Sequence, residues 1–493
     1  MERLSRGFFA EKARGSGNRL ETDLHRDLQE EKVLQFGEGN FLRAFVDYFI
    51  DVLNERKLFN GSVVVVQPIK DGMVDAINAQ DGLYTVLLRG LENQVATVKK
   101  RIITSISRGI NPYVDFEKYL ELAKSPSLRF VVSNTTEAGI VFLETDKLTD
   151  RPPIGFPAKA TVLLYERYKH FNGDKSKGFV FIPCELVDYS GRKLKETILM
   201  CAQKWELPEG FVRWIHEANH FTNTLVDRIV TGYPDEWEAI ADELGYEDKL
   251  LVAAEIFHFF ALEADREVAR ILSEEMPFDK VGINVVVSDD VTPYKLRKVR
   301  ILNGAHTMSV LVAFLSGKET VREMMDDSLM VKYLNKGIFQ EIIPTLDLEG
   351  DDLNSFALSV LDRFANPYIK HYLISIALNS VSKYKARVLP SLLEYYKRNG
   401  CLPEILTLSF AALVVFYRGD GYKVSDDEEI VKFFKEQWGK CDTKQLAEVI
   451  CARKDYWGLD LNELPGFAEK VTFFLEEISS KGIKKVVEKA VNM

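Results

Sequence analysis

Through the first 290 residues, β-branched and aromatic runs alternate with segments whose apolar positions recur every three or four residues, the texture of an α/β domain. Val63–Val66, Arg129–Ser133, Gly178–Pro183 and Val281–Val287 predict strands. Ahead of them, Lys32–Phe36 reads as a short buried strand, followed by a Gly37-Glu38-Gly39 turn and an amphipathic helix over Asn40–Ile50. From about Thr292 the pattern is almost wholly helical. Thr320–Asn335, Ser355–Ala365, Ile369–Tyr384 and Glu428–Lys440 carry apolar residues at helical spacing, broken by Pro367, Pro390, Pro403 and Pro465. The expectation is an α/β protein: a Rossmann-type dinucleotide-binding domain over 1–290, then a mainly α-helical substrate and catalytic domain over 291–493.

Composition narrows the class. A chain of 493 residues exceeds what one hydrophobic core serves. A net charge of −10 with no basic stripe argues against nucleic acid as a partner. The longest apolar stretch, Phe410–Tyr417, is too short to span a bilayer, and no apolar run of signal-peptide length follows Arg3, Arg6, Lys12 and Arg14. Five scattered cysteines form no C-x-x-C pair, which suits a reducing compartment, so a cytoplasmic protein is expected. Nothing in the residues fixes an oligomeric state.

Two segments carry chemistry. In Phe36-Gly37-Glu38-Gly39-Asn40-Phe41-Leu42-Arg43, two glycines permit a tight turn and close approach of a pyrophosphate to helix N–H groups, although Leu42 stands where G-x-G-x-x-G has its third glycine. Gln67 ends the next strand where an acid commonly holds the ribose hydroxyls, leaving NAD and NADP open. Asn134 and Glu137, at the end of another strand, either contact a cofactor or cap a helix. The second segment, Lys298 to His306, places an ammonium, an amide (Asn303) and an imidazole on one helical face, the set that proton exchange with a carbonyl or hydroxyl needs. A polar helix face with a snorkelling lysine is the bland alternative. A competing pattern, His216-Glu217-Ala-Asn-His220, matches H-E-x-x-H and would imply a zinc hydrolase, but the chain runs at once into Phe221-Thr-Asn-Thr instead of continuing a helix, which favours two surface or capping histidines.

Gln35-Phe-Gly-Glu-Gly-Asn-Phe-Leu-Arg-Ala, Ser133–Gly139, Pro183–Leu186, Asn223–Ile229, the Lys298 segment, Arg363–Pro367 and Ser380–Lys383 together resemble the mannitol dehydrogenase family, the polyol-specific long-chain dehydrogenases, over nearly the whole chain. The resemblance implies an NAD-dependent, metal-independent oxidoreductase. It implies Lys298 as general acid/base, Asn303 as oxyanion donor and His306 as substrate-orienting residue. Asp227 and Lys383 would lie near the substrate, with Asn223 beside them. Mannitol-type members have an asparagine where Leu186 stands and an arginine where Ser375 stands, so a sugar acid, a keto-hexuronate such as D-tagaturonate paired with D-altronate, is expected in place of a polyol. Its carboxylate needs a cation: His371, Lys383 or Arg387, on one predicted helical segment. Fructuronate or mannitol as substrate, and a sensor without turnover, are the other readings.

Overall fold

The computed structural model describes residues 1–8, 29–92, 94–135 and 138–493. Glu137 lies outside the described residues. The chain forms two compact units: 1–89 with 97–291, and 90–96 with 292–493.

The first unit is organised by a six-stranded parallel sheet. Numbering only its strands, these are β1 (Glu31–Phe36), β2 (Ser62–Val66), β3 (Ile106–Ile110), β4 (Phe130–Ser133), β5 (Val180–Pro183) and β6 (His220–Phe221). They lie in the order β3-β2-β1-β4-β5-β6, the doubly wound dinucleotide-binding order. Strands buried on both faces must be apolar throughout, as Val63–Val66 is. Successive side chains serve opposite cores. Val33, Val63 and Val65 pack with Phe45 and with Ile50 and Leu53 of the helix Val46–Glu55 that follows it, whereas Leu34, Val64 and Val66 pack with Leu163, Leu194 and Ile198 of the helices Phe156–His170 and Ser190–Lys204. Each such fully buried side chain contributes about 1.5–3 kcal/mol. The strand order reverses between β1 and β4, which pair through Leu34↔Val131 and Phe36↔Ser133. Ligands of such sheets bind beyond the carboxyl ends at that reversal. A smaller sheet in the order Val285–Ser288, Phe259–Glu263, Asn223–Asp227 carries two of the expected site residues.

The second unit is helical. Its centre is formed by Gly304–Leu315 and Glu404–Phe416, both apolar nearly all round and correspondingly buried. Among the described residues, no helix is long and apolar enough to cross a membrane.

Four elements differ from expectation. The strand expected over Val281–Val287 is only Val285–Ser288, because a 3₁₀ turn over Phe278–Val281 ends at Gly282 with φ +71°. Asp327 starts a new helix by accepting from the Leu329 and Met330 amides, which divides Thr320–Asn335. Ile369–Tyr384 is not one helix either: Asn379 takes a left-handed conformation (φ 54°) between Leu373–Ile376 and Ser380–Arg387, so His371 shares no helix with Lys383 and Arg387. Finally, Lys298–Asn303 is a π-helix, wider than the α-helix its periodicity predicts.

Candidate active site

At the end of β1 the chain turns through Gly37, whose φ of +118° favours glycine and where a Cβ would stand 3.1 Å from the Asn134 carbonyl oxygen. Gly39 has no atom within 4 Å of where its Cβ would be, so the backbone there is open to a ligand. Of Phe36–Arg43, Gly39 and Asn40 are exposed and Phe41 is partly so; Leu42 fills the space beside Gly37 and is core. Arg43 is buried, donating to the Glu38 carbonyl (3.1 Å), the Leu250 carbonyl and Asn40 Oδ1 (2.6 Å). It holds the turn from behind.

Around this turn, polar side chains tie the strand ends together. Gln67 donates to the Ile69 and Lys70 carbonyls (2.9 and 2.8 Å) and so shapes the loop after β2. Glu38 accepts from the Met73 amide with one carboxylate oxygen, while its other, Oε2, is buried without a partner. Burial holds its carboxyl above the usual range. Asn134 donates to the Cys184 carbonyl (2.6 Å). Glu185 accepts from Ser133 Oγ, Thr135 Oγ1 and the Thr135 amide, bracing the carboxyl ends of β4 and β5. An open glycine turn and an unpartnered acid at the carboxyl end of a doubly wound sheet fit a nicotinamide dinucleotide.

In the second unit, the residue before Lys298 is anchored, since Arg297 lies over Phe356 (4.4 Å) and pairs with Asp352 (2.5 Å). The i→i+5 bonding of the π-helix makes Asn303 the residue one turn on from Lys298. His306 follows in the first turn of Gly304–Leu315. Its ring stacks on Phe364 (centroids 4.0 Å, 6° between planes) and meets His371 edge-on at 5.7 Å. Burial, then the neighbouring His371, Arg363, Arg387 and Lys383, push its pKa down to about 3. It is a neutral imidazole ringed by basic groups. A Cβ on Gly304 would lie 3.1 Å from the Arg387 carbonyl oxygen, so this glycine lets the end of Ser380–Arg387 close on the Asn303 turn. Lys383 donates to the Ile376 carbonyl (2.8 Å); Arg387 is half-buried, and desolvation lowers its pKa.

Lys298, Asn303, His306, His371, Lys383 and Arg387 therefore gather in one unit. Asp227 and Asn223 stand on a strand of the other. Asn223 is occupied there: its amide donates to Glu263 (2.6 Å) and accepts from the Arg192 amide (3.1 Å). Arg363 and Phe364 receive no role from the residues alone, although the Arg363–Pro367 motif singled out their segment. The zinc pattern is not built, because the helix Glu209–Ala218 ends at extended Asn219, leaving His216 in the last turn and His220 in β6. Two histidines one helical turn apart, as that chemistry requires, are absent from this segment.

A doubly wound nucleotide fold combined with a lysine, amide and imidazole set defines a dehydrogenase acting on a CH–OH group. Residues 31–273 match the mannitol dehydrogenase Rossmann domain and residues 290–479 the mannitol dehydrogenase C-terminal domain. The chain belongs to the mannitol dehydrogenase family. It is 48% identical over 468 residues to the altronate oxidoreductases of Escherichia coli O7:K1 and Shigella flexneri, covering 93% of this chain and 96% of each relative. Among solved structures, D-sorbitol dehydrogenase in substrate-free form matches with a TM-score of 0.77 at 23% identity, covering 94% of this chain and 96% of that one. Pseudomonas fluorescens mannitol 2-dehydrogenase, in a ternary complex with NAD and D-mannitol, matches with 0.63 at 22%, covering 94% and 95%.

Proposed function

We propose that this chain is an NAD-dependent, cytoplasmic reductase that interconverts D-tagaturonate and D-altronate. The observation that carries the reading is the neutral His306 imidazole surrounded by Arg363, His371, Lys383 and Arg387, on the same unit as Lys298 and Asn303. A hexuronate brings a carboxylate that His371, Lys383 and Arg387 can bind by charge-assisted hydrogen bonds, which a neutral polyol does not. The 48% identity to altronate oxidoreductases supports the same substrate pair.

In the oxidative direction, Lys298 takes the proton of the substrate hydroxyl, and Asn303 donates a hydrogen bond to the oxygen as its negative charge develops. His306, kept neutral, orients the hydroxyl chain by hydrogen bonding without adding charge beside the reacting carbon. Arg387, with Lys383 or His371, holds the carboxylate. The dinucleotide, when bound, supplies the hydride acceptor. Gly37–Phe41 would hold its phosphates. Glu38, whose Oε2 lacks a partner beside the Gln67 loop, favours ribose hydroxyls over a 2′-phosphate, and hence NAD over NADP.

Catalytic efficiency on tagaturonate, fructuronate, fructose and mannitol, with NADH or NADPH and the reverse pairs, tests the proposal. Tagaturonate with NADH is expected to lead. Equal or better efficiency on fructose or mannitol overturns the uronate assignment, and a preference for NADPH overturns the role given to Glu38.

A further inference from the structure

A cavity of about 340 Å³ opens beside β6, the edge strand of the main sheet, and every residue lining it belongs to the first unit. It includes none of the Gly37 turn and none of the Lys298 set, and of the expected substrate residues it includes Asn223 alone, whose side chain is held by Glu263 and the Arg192 amide. Its walls are mainly polar. Arg192 and Lys195 stand three residues apart on Ser190–Lys204, hence on one helix face, with Glu263 and Asp265 among the other lining groups and His216 and His220 completing the wall. Among the described residues no ion pair engages either cation: Arg192 lies over Tyr189 (5.0 Å) and Lys195 over Phe221 (5.8 Å). Desolvation lowers the Lys195 pKa, the mark of an ammonium half-withdrawn from water. The carboxylates have fixed positions. Glu263 accepts from the Asn223 amide, and Asp265 caps Arg266–Glu275 by accepting from the Val268 amide (2.9 Å).

Two cations and two carboxylates in one cavity select for a ligand with two kinds of end. A bare anion would satisfy Arg192 and Lys195 but bring nothing to donate to Glu263 and Asp265. A neutral polyol would donate to the acids and leave the cations unpaired. The volume, near the lower end for ligand pockets, suits a molecule of about six carbons. We propose that this cavity is a second binding site, for a small polyhydroxylated carboxylate: its carboxylate sits at Arg192 and Lys195, and its hydroxyls donate to Glu263 and Asp265. Such a ligand has the chemical form of an aldonate, so the site would let the enzyme sense a hydroxy acid apart from turning one over. The assignment stands independently of which substrate the enzyme prefers.

Isothermal titration with D-gluconate, D-sorbitol and inorganic phosphate tests it, on the full chain and on three variants. Gluconate is expected to bind the wild type and Arg387→Met alike, and to bind Arg192→Ala/Lys195→Ala about tenfold or more weakly, as the loss of a charge-assisted contact implies. Basal turnover of that double variant should not change. Lys195→Glu, at a half-exposed position, provides the same reading should the double variant misfold. Sorbitol and phosphate should each bind at least about tenfold more weakly than gluconate. No gluconate binding to the wild type, full retention in the cation variants, loss in Arg387→Met, or equal binding of phosphate or sorbitol each overturns the proposal.

Discussion

The imidazole of His306 lies flat on the ring of Phe364, 4.0 Å between centroids and 6° from parallel, although 58 residues separate them in the chain. The stack fixes the plane of a group whose hydrogen bonds are directional, and His371 meets its edge. We expect Phe364→Leu to lower kcat about threefold to tenfold, the worth of an aromatic pair of about 0.5–1.5 kcal/mol. Affinity for NADH should stay constant, and Phe364→Tyr should restore kcat. A kcat unchanged in the leucine variant would show that the stack serves packing alone.

Lys298→Ala should lower turnover by about 10²–10⁴, the usual worth of positioned proton transfer. The nucleotide turn lies in the other unit, so cofactor affinity measured by fluorescence titration should hardly move. Near-normal turnover at neutral pH would remove Lys298 from its role.

Arg387→Met should erase most of the preference for a hexuronate over the matching ketose. One charge-assisted contact is worth about 1.5–3 kcal/mol, a ten- to hundredfold discrimination. Lys383→Met should have the smaller effect, because its ammonium is already held by the Ile376 carbonyl. The reverse ranking in kcat/KM would make Lys383 the carboxylate partner.

The largely buried His258 should contribute a loss of stability in acid. His258 accepts from the Asn284 amide and lies against Phe49, and burial followed by Arg228 lowers its pKa to about 4. The unfolded chain binds that proton near 6.5 while the native one refuses it, so stability is lost as pH falls from 6.5 towards 4. Asp47 and Glu341, both raised to about 7 chiefly by burial, push the opposite way over an overlapping range. The variant comparison isolates the histidine. His258→Gln, less stable overall, should show a smaller drop in urea midpoint between pH 7 and pH 4.5 than the wild type; equal drops would refute this account.

His216→Ala and His220→Ala should each leave turnover with NADH within about twofold, as expected for residues outside the proposed machinery. Elemental analysis of the purified protein should find no stoichiometric zinc. One zinc per chain, removed together with activity by a chelator, would revive the hydrolase pattern.

The nucleotide half was legible because its signals are local: valine runs buried on both faces, and a glycine pair after a strand. What escaped is tertiary or turns on one residue. Asn379 divides a segment with good helical periodicity by adopting a conformation open to asparagine but not announced by its neighbours. Asn219 ends the helix that H-E-x-x-H presupposes. The triad on Lys298–His306 could be read as one face, yet the π-helix carrying it could not, since i→i+5 and i→i+4 helices draw on the same residues. Phe364 and Arg363 belong to the site through folding alone. No spacing rule connects them to His306.

The wide turn at Lys298–Asn303 also bears on how this sequence can change over time. A π-helix is an α-helix that has accepted one additional residue, and deleting one of the four between Lys298 and Asn303 would let the segment relax to α geometry. Lys298 and Asn303 would then be four residues apart and still one turn from each other. Relaxation to α geometry at the present length would instead turn Lys298 by about 100° against Asn303 and His306 with every side chain intact. The length of this segment is a discrete setting matched to its helix type, and a lineage can change one only together with the other.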